Sequence, residues 1–374
     1  MMIETLSFIW RRVLGVSSVK AEDNFFDLGG DRLLADELFA EIKQECGRDL
    51  AAELICVAPT LASLAELLAQ PAALKVPQLL LLKSGTEQPP IFLMHGISGS
   101  VLEVVPIARR IQSQRPIYAL QARGVDGLEQ PFGSLEEFTR SYVKAIQSVQ
   151  PTGPYSLIGY SFGGLVALEM ATTLRESGKD VSLLAMLDSY PANRHLRFRP
   201  RVSRFTRRVR EHAFTILNRG LAQGLDKLGV LQSEEATAPS SKLLSWTSKY
   251  AQLELDTNSG SDKRVVAPSR PVQYSSAARE GIRLSSYNAW YHYRPRRYDG
   301  TVHFIQAAVK WVFPADPVSV WGHLVRDLKV ARIGCNHLQM TTSHAGAVAS
   351  KLSECLAAQE VYVEQRVLRV RSGT

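Results

Sequence analysis

Tyr155-Ser156-Leu157-Ile158-Gly159-Tyr160-Ser161-Phe162-Gly163-Gly164 is the stretch that decides the fold. Tyr155–Gly159 is apolar enough for a buried strand, and a helical pattern opens near Gly163 and runs to Glu176. Ser161 stands at the turn between them, with a glycine two residues before it and two after. Those glycines let the backbone turn sharply enough to hold the hydroxyl clear of the sheet. A serine that merely caps a helix is the bland alternative; the strand–turn–helix setting favours a nucleophile. A free serine hydroxyl is weak at neutral pH, so this reading requires a base nearby.

Working outward, strands and helices alternate. Pro90–Met94 reads as a strand, Val101–Ile111 as a helix, Pro116–Leu120 as a strand, and Ser134–Val149 as a helix opened by a serine cap. Val181–Leu187 is again a strand. From Ser189 to about Arg283 the alternation gives way to a long, arginine-rich, mostly helical insertion. Thr301–Gln306 and Lys329–Ile333 resume the strands, and Ala345–Ala358 closes as a helix. Alternation of this kind implies parallel strands joined by crossover helices on both faces.

The nucleophile predicts an acid after it and a histidine after that. Asp188 ends the strand following Ser161, where an acid can orient an imidazole and stabilise it when protonated. Asp299 and Asp316, near later strand ends, are its rivals. His337 follows a late strand through Gly334-Cys335-Asn336 and precedes the last helix, a loop position from which a base reaches the sheet edge. His344 is the nearest competitor, at a helix start from which it points outward. His95, after the first strand, reads as a structural neighbour of the oxyanion loop. The oxyanion donors expected are the backbone N–H groups of Phe162, next after the nucleophile, and Ile97, in the loop Met94–Ser100. Together these features predict a serine α/β-hydrolase: a mostly parallel sheet, helices on both faces and a helical lid over about 190–285.

In front of this lies a different module. Ile3, Leu6, Ile9, Trp10 and Leu14 space as one helix; Leu33, Leu34, Leu38, Phe39 and Ile42 as a second, with Asp31 as N-cap; Leu61, Leu64, Leu67 and Leu68 as a third, capped by Thr60. The domains expected are a small helical bundle over 1–70, a proline-rich linker over 71–89, the hydrolase over 90–359 and a basic tail over 360–374.

The chain has 374 residues, 45% of them apolar and 21% charged, an ordinary globular composition without a membrane span or a secretory leader. The cysteines, Cys46, Cys56, Cys335 and Cys355, show no metal or disulfide spacing and suit a reducing cytoplasm. Residues 1–70 carry twelve acids against six bases, net −6, so the rest of the +8 chain carries +14. Such asymmetry suggests two modules with different partners. Eight arginines fall between Arg194 and Arg210 without an acid. They read as a solvated helix face or as a site for an acidic partner or phosphate; no nucleic-acid-binding motif accompanies them.

Pro90-Ile91-Phe92-Leu93-Met94-His95-Gly96, Gly159–Gly164, Leu187-Asp188-Ser189 and Gly334-Cys335-Asn336-His337 resemble thioesterase domains of nonribosomal peptide and polyketide synthetases, over about residues 78–358. Tyr293-Arg294-Pro295 and Trp321-Gly322 also recur in that family. Asp23-Asn24-Phe25-Phe26-Asp27-Leu28-Gly29-Gly30-Asp31 resembles the signature of peptidyl or acyl carrier domains. That family attaches phosphopantetheine to a serine directly after Gly-Gly-Asp, and here the position is Arg32. No Ser or Thr replaces it between Asp27 and Glu45, so no covalently bound cofactor is expected. The module is then a folded remnant, a docking element for a loaded carrier from elsewhere, or the product of a sequence change.

The resemblance implies a thioesterase that hydrolyses or cyclises chains carried on phosphopantetheine, with acyl or peptidyl carrier domains of other proteins as partners; the charge of Arg194–Arg210 suits the acidic surface or pantetheine phosphate of such a carrier. The triad alone also suits an esterase or amidase acting on soluble molecules, and a relict chain would be a non-catalytic scaffold.

Overall fold

The first helix, α1 (Met2–Leu14), buries Leu6, Ile9, Trp10 and Val13, one apolar stripe of a 3.6-residue repeat. The second, α2 (Arg32–Cys46), starts where the Asp31 carboxylate accepts the Leu34 N–H, and stops at Gly47, whose φ of 66° needs no side chain. A 3₁₀ turn (Ala52–Cys56) and α3 (Leu61–Ala69), opened by a reciprocal Thr60–Ser63 capping box, complete the front bundle. Trp10 meets Phe25 edge-on at 5.5 Å in its centre, and both are fully buried. This is a computed structural model, and it describes residues 2–70, 74–87, 89–192, 274–309 and 316–372.

The stretch expected to be a linker contains a strand. β1 (Leu79–Lys83) is the edge of the main sheet and pairs antiparallel with β3 (Ile117–Leu120). The flanking prolines conceal this: Pro77 and Pro89–Pro90 break the chain on either side of a short leucine run. Between those strands lie β2 (Ile91–Met94), a 3₁₀ turn (Val101–Glu103) and α4 (Val105–Arg110). The single helix expected over Val101–Ile111 is thus two pieces. Pro106 has no N–H and must sit in a first turn, so the α-helix restarts around it.

Then follow α5 (Leu135–Val149), β4 (Tyr155–Tyr160), α6 (Phe162–Glu176) and β5 (Val181–Leu187). Of the lid expected over about 190–285, residues 193–273 lie outside the described residues, and Arg194–Arg210 with them. Its C-terminal end belongs to α7 (Tyr274–His292). The chain closes with β6 (Tyr298–Ala307), α8 (Pro317–Trp321), β7 (Val325–Ile333) and α9 (Ala345–Ser372). The expected basic tail from 360 is therefore the continuation of α9 and not a separate segment.

Among the described residues seven strands run β1-β3-β2-β4-β5-β6-β7, all parallel except β1. Central strands β2 and β4 are buried at every residue, as a sheet covered on both faces requires. The carboxyl ends of these parallel strands form the edge where loops gather, and Ser161 and Asp188 lie there. Among the described residues no helix is long and apolar enough to cross a membrane.

Candidate active site

Ser161 sits in a strained backbone conformation, φ 54° and ψ −118°, between β4 and α6. Space fixes the neighbouring glycines. A Cβ on Gly159 would strike the Gly163 carbonyl, and one on Gly163 would strike the His95 carbonyl. The turn therefore tolerates no side chain at either place, and the serine hydroxyl is held above the strand end.

Asp188 follows β5, also at positive φ (47°). Its Oδ2 lies 2.8 Å from His337 Nδ1, and its Oδ1 accepts the Ala307 N–H at 3.3 Å. His337 Nε2 lies 3.0 Å from Ser161 Oγ. Asp188 and His337 are buried, at 5% and 3% exposure, which strengthens their charge-assisted bond. The structure thus brings three residues from distant parts of the sequence into one hydrogen-bonded line. The rival acids are elsewhere: Asp299 is exposed beside Arg326, and Asp316 caps α8 through the Val318 and Ser319 N–H groups. His344 pairs its Nδ1 with the Ser343 hydroxyl and takes no part.

Three residues that stand in the motifs quoted above have parts in the site that the sequence pattern did not reveal. Tyr160 stacks on the His337 ring at 4.9 Å, and its hydroxyl donates to the His337 carbonyl at 3.1 Å. Its place directly before the nucleophile was the available hint. Trp321, fully buried, donates its indole N–H to the Ser189 carbonyl at 3.1 Å, fixing the residue after Asp188. Cys335, beside the site, has its thiol pushed up to about 11 by burial and by the negative charge of Asp188, so it stays protonated.

The Ile97 and Phe162 N–H groups donate to no other backbone group among the described residues. Phe162 N–H is one of the unpaired donors of the first turn of α6, whose N-terminus favours negative charge. The loop bearing Ile97 is tied down on both sides. Glu103 accepts the Gly96 N–H at 2.8 Å. His95 lies 2.6 Å from the Gly96 carbonyl through Nδ1 and 2.5 Å from the Tyr142 hydroxyl through Nε2. Complete burial holds its pKa down to about 4, so the imidazole stays neutral, a structural part as expected and no second base.

A cavity of about 740 Å³ opens between the front bundle and the hydrolase. Arg32, Leu102, Glu103, Arg109, Tyr160 and Leu338 are among its walls, the last two adjoining Ser161 or His337 in the sequence.

Residues 89–245 match the family model described as thioesterase domain, and residues 4–68 that described as phosphopantetheine attachment site. The chain carries a thioesterase domain behind a carrier domain. Malpibaldin synthetase of Mortierella alpina is 38% identical over 187 residues, 49% of this chain and 3% of that protein. The dimodular nonribosomal peptide synthase of Bacillus subtilis strain 168 is 40% identical over 189 residues, 50% of this chain and 8% of that one. The chain thus spans a small part of these relatives. A crystal structure of a four-domain nonribosomal peptide synthetase, bound to AMP and glycine, shares the fold at a TM-score of 0.56 and 23% identity, over 94% of this chain and 26% of that one.

The attachment-site family implies phosphopantetheine on the carrier domain. Arg32 stands at that position as the first residue of α2, its guanidinium 3.6 Å from Glu103. A guanidinium has no hydroxyl to carry a phosphodiester, and residues 27–45 contain neither Ser nor Thr. The residues present do not fit the group.

Proposed function

We propose that this chain is a serine thioesterase that releases acyl or peptidyl chains from the pantetheine thiol of a carrier domain in nonribosomal peptide or polyketide assembly. The observation that carries the reading is the continuous line Asp188–His337–Ser161 at the strained turn of a thioesterase domain. Because Arg32 leaves its own carrier domain without an attachment hydroxyl, the thioester comes from a partner carrier. The cavity beside Tyr160 and Leu338 falls within the size range of ligand sites and gives the pantetheine arm room to approach. Four unpaired cysteines suit action in a reducing cytoplasm.

Ser161 Oγ attacks the thioester carbonyl as His337 Nε2 takes its proton. Asp188 holds Nδ1–H toward itself, keeps Nε2 free to accept, and stabilises the imidazolium. The Phe162 and Ile97 N–H groups donate to the oxyanion. Collapse breaks the C–S bond, and the leaving thiolate takes the proton from His337. Water, or a nucleophile within the chain being released, then gives its proton to Nε2 and attacks the ester. Collapse returns that proton to Ser161 and frees an acid or a ring.

Hydrolysis of a panel of acyl-pantetheine thioesters by the chain and by Ser161→Ala tests the reading. Turnover that vanishes in the variant supports it. Turnover of free esters in preference to thioesters favours a soluble esterase, and absence of both with no fluorophosphonate labelling favours a scaffold.

A further inference from the structure

The carrier domain is joined to the hydrolase through the very loop that would hold the oxyanion. Glu103 closes that loop with one carboxylate oxygen, accepting the Gly96 N–H at 2.8 Å, while its other oxygen lies 3.6 Å from the guanidinium of Arg32. Ser100, at 3% exposure in the same loop, donates its hydroxyl to Glu53 of the front bundle at 2.7 Å. The Ser100 oxygen in turn accepts the Leu102 N–H at 3.3 Å and caps the 3₁₀ turn. Glu53 is wholly buried, with Arg279 of α7 at 3.8 Å, and Arg279 also binds Asp36 of α2 at 2.5 Å. The bundle therefore grips the Gly96–Glu103 segment at Ser100 and at Glu103, whose other carboxylate oxygen holds the Gly96 N–H.

We propose that the carrier domain, unable to be loaded, serves as a fixed brace of the oxyanion loop, with Arg32 and Glu53 as positioning residues. The attachment position has lost its hydroxyl, so the domain has no arm to carry. The arginine that replaces it reaches the carboxylate that fixes Gly96, one residue before Ile97. A domain that shuttles would not bury a carboxylate whose hydrogen-bond donor lies across the interface, because desolvating it repays only while the partners stay together. Arg32 acts on the oxyanion through Glu103 and Gly96, by keeping the Ile97 N–H aimed at the developing charge.

This rests on the thioesterase reading for the choice of substrate, so the experiment has a readout independent of that choice. Full-length parent, Arg32→Ala, Arg32→Lys and the remote control Arg12→Ala are compared in two assays. These are hydrolysis of an acyl-pantetheine thioester, which needs no carrier docking, and the rate of Ser161 modification by an alkyl fluorophosphonate, whose phosphonyl oxygen seeks the same donors. The brace predicts that Arg32→Ala lowers kcat and the modification rate together by roughly tenfold, with KM within about twofold, as expected for a residue coupled to a site through intermediates. Arg32→Lys restores most of both, and Arg12→Ala changes neither. Parent-like rates in Arg32→Ala, or a loss confined to KM, would overturn the brace. If the parent does not hydrolyse the thioester, the substrate reading fails, while the fluorophosphonate rates still decide the brace.

Discussion

At the level of single residues, the site depends on side chains whose directions are fixed by backbone strain and burial. Ser161 and Asp188 are the two non-glycine residues with positive φ among those described, and both belong to the hydrogen-bonded line. Strain of this kind persists where the surroundings enforce it. With Asp188→Asn, the amide would bind the wrong imidazole tautomer, and kcat should fall by about 10⁴ while the fold survives; steady-state kinetics beside a circular-dichroism melt checks this. His95 gives a pH prediction. Its pKa, held at about 4 against the usual 6.5, means that the unfolded chain takes up a proton the folded chain refuses. Its contribution is present in full above pH 6.5 and is lost as pH falls toward 4, on the order of 3 kcal/mol. His303 is shifted in the same direction by burial, so the comparison must be with a variant. Urea midpoints at pH 7 and pH 4.5 should fall more steeply in the parent than in His95→Gln. Ser161, Asp188 and His337 were legible in the sequence because chain order and strand ends restrict the choices. Tyr160 and Glu103 were not, because their roles depend on what they reach across space.

For the elements, the turn between β4 and α6 is the most tightly specified piece. The Gly159 α-carbon faces the Gly163 carbonyl, so Gly159→Ala forces strand and helix apart. A loss of about 1–3 kcal/mol in a denaturant titration is expected, with slower fluorophosphonate labelling. An unchanged midpoint would show that the turn relaxes. The helices α1, α2 and α3 and the parallel strands could be read from apolar spacing and caps. β1 could not, because an edge strand is defined by its partner: Leu79–Leu82 become a strand only through pairing with Ile117–Leu120. The end of α9 was likewise hidden, since residues 360–372 carry no breaker and their charge alone suggested a tail.

For the molecule as a whole, the charge asymmetry between the two domains is used at their interface. Acidic Asp27, Asp36 and Glu53 of the carrier domain face Arg109 and Arg279 of the hydrolase, and Arg109 also lies over the Phe26 ring at 5.7 Å. Removing the cation from a buried cluster strands its carboxylate, which typically costs about 3–5 kcal/mol. Arg279→Ala should therefore uncouple the domains, so that one calorimetric transition becomes two; a single unshifted transition would show that the interface does not hold them. The central claim is that acyl chains pass onto Ser161 and never onto the carrier domain of this chain. Its most direct test is peptide-level mass spectrometry after brief incubation with an acyl-pantetheine thioester, alongside incubation with coenzyme A and a phosphopantetheinyl transferase. The acyl mass is expected on the peptide containing Ser161, and no added mass on the peptide containing Arg32. A phosphopantetheine mass on the carrier domain, or an acyl group on any residue other than Ser161, would contradict it.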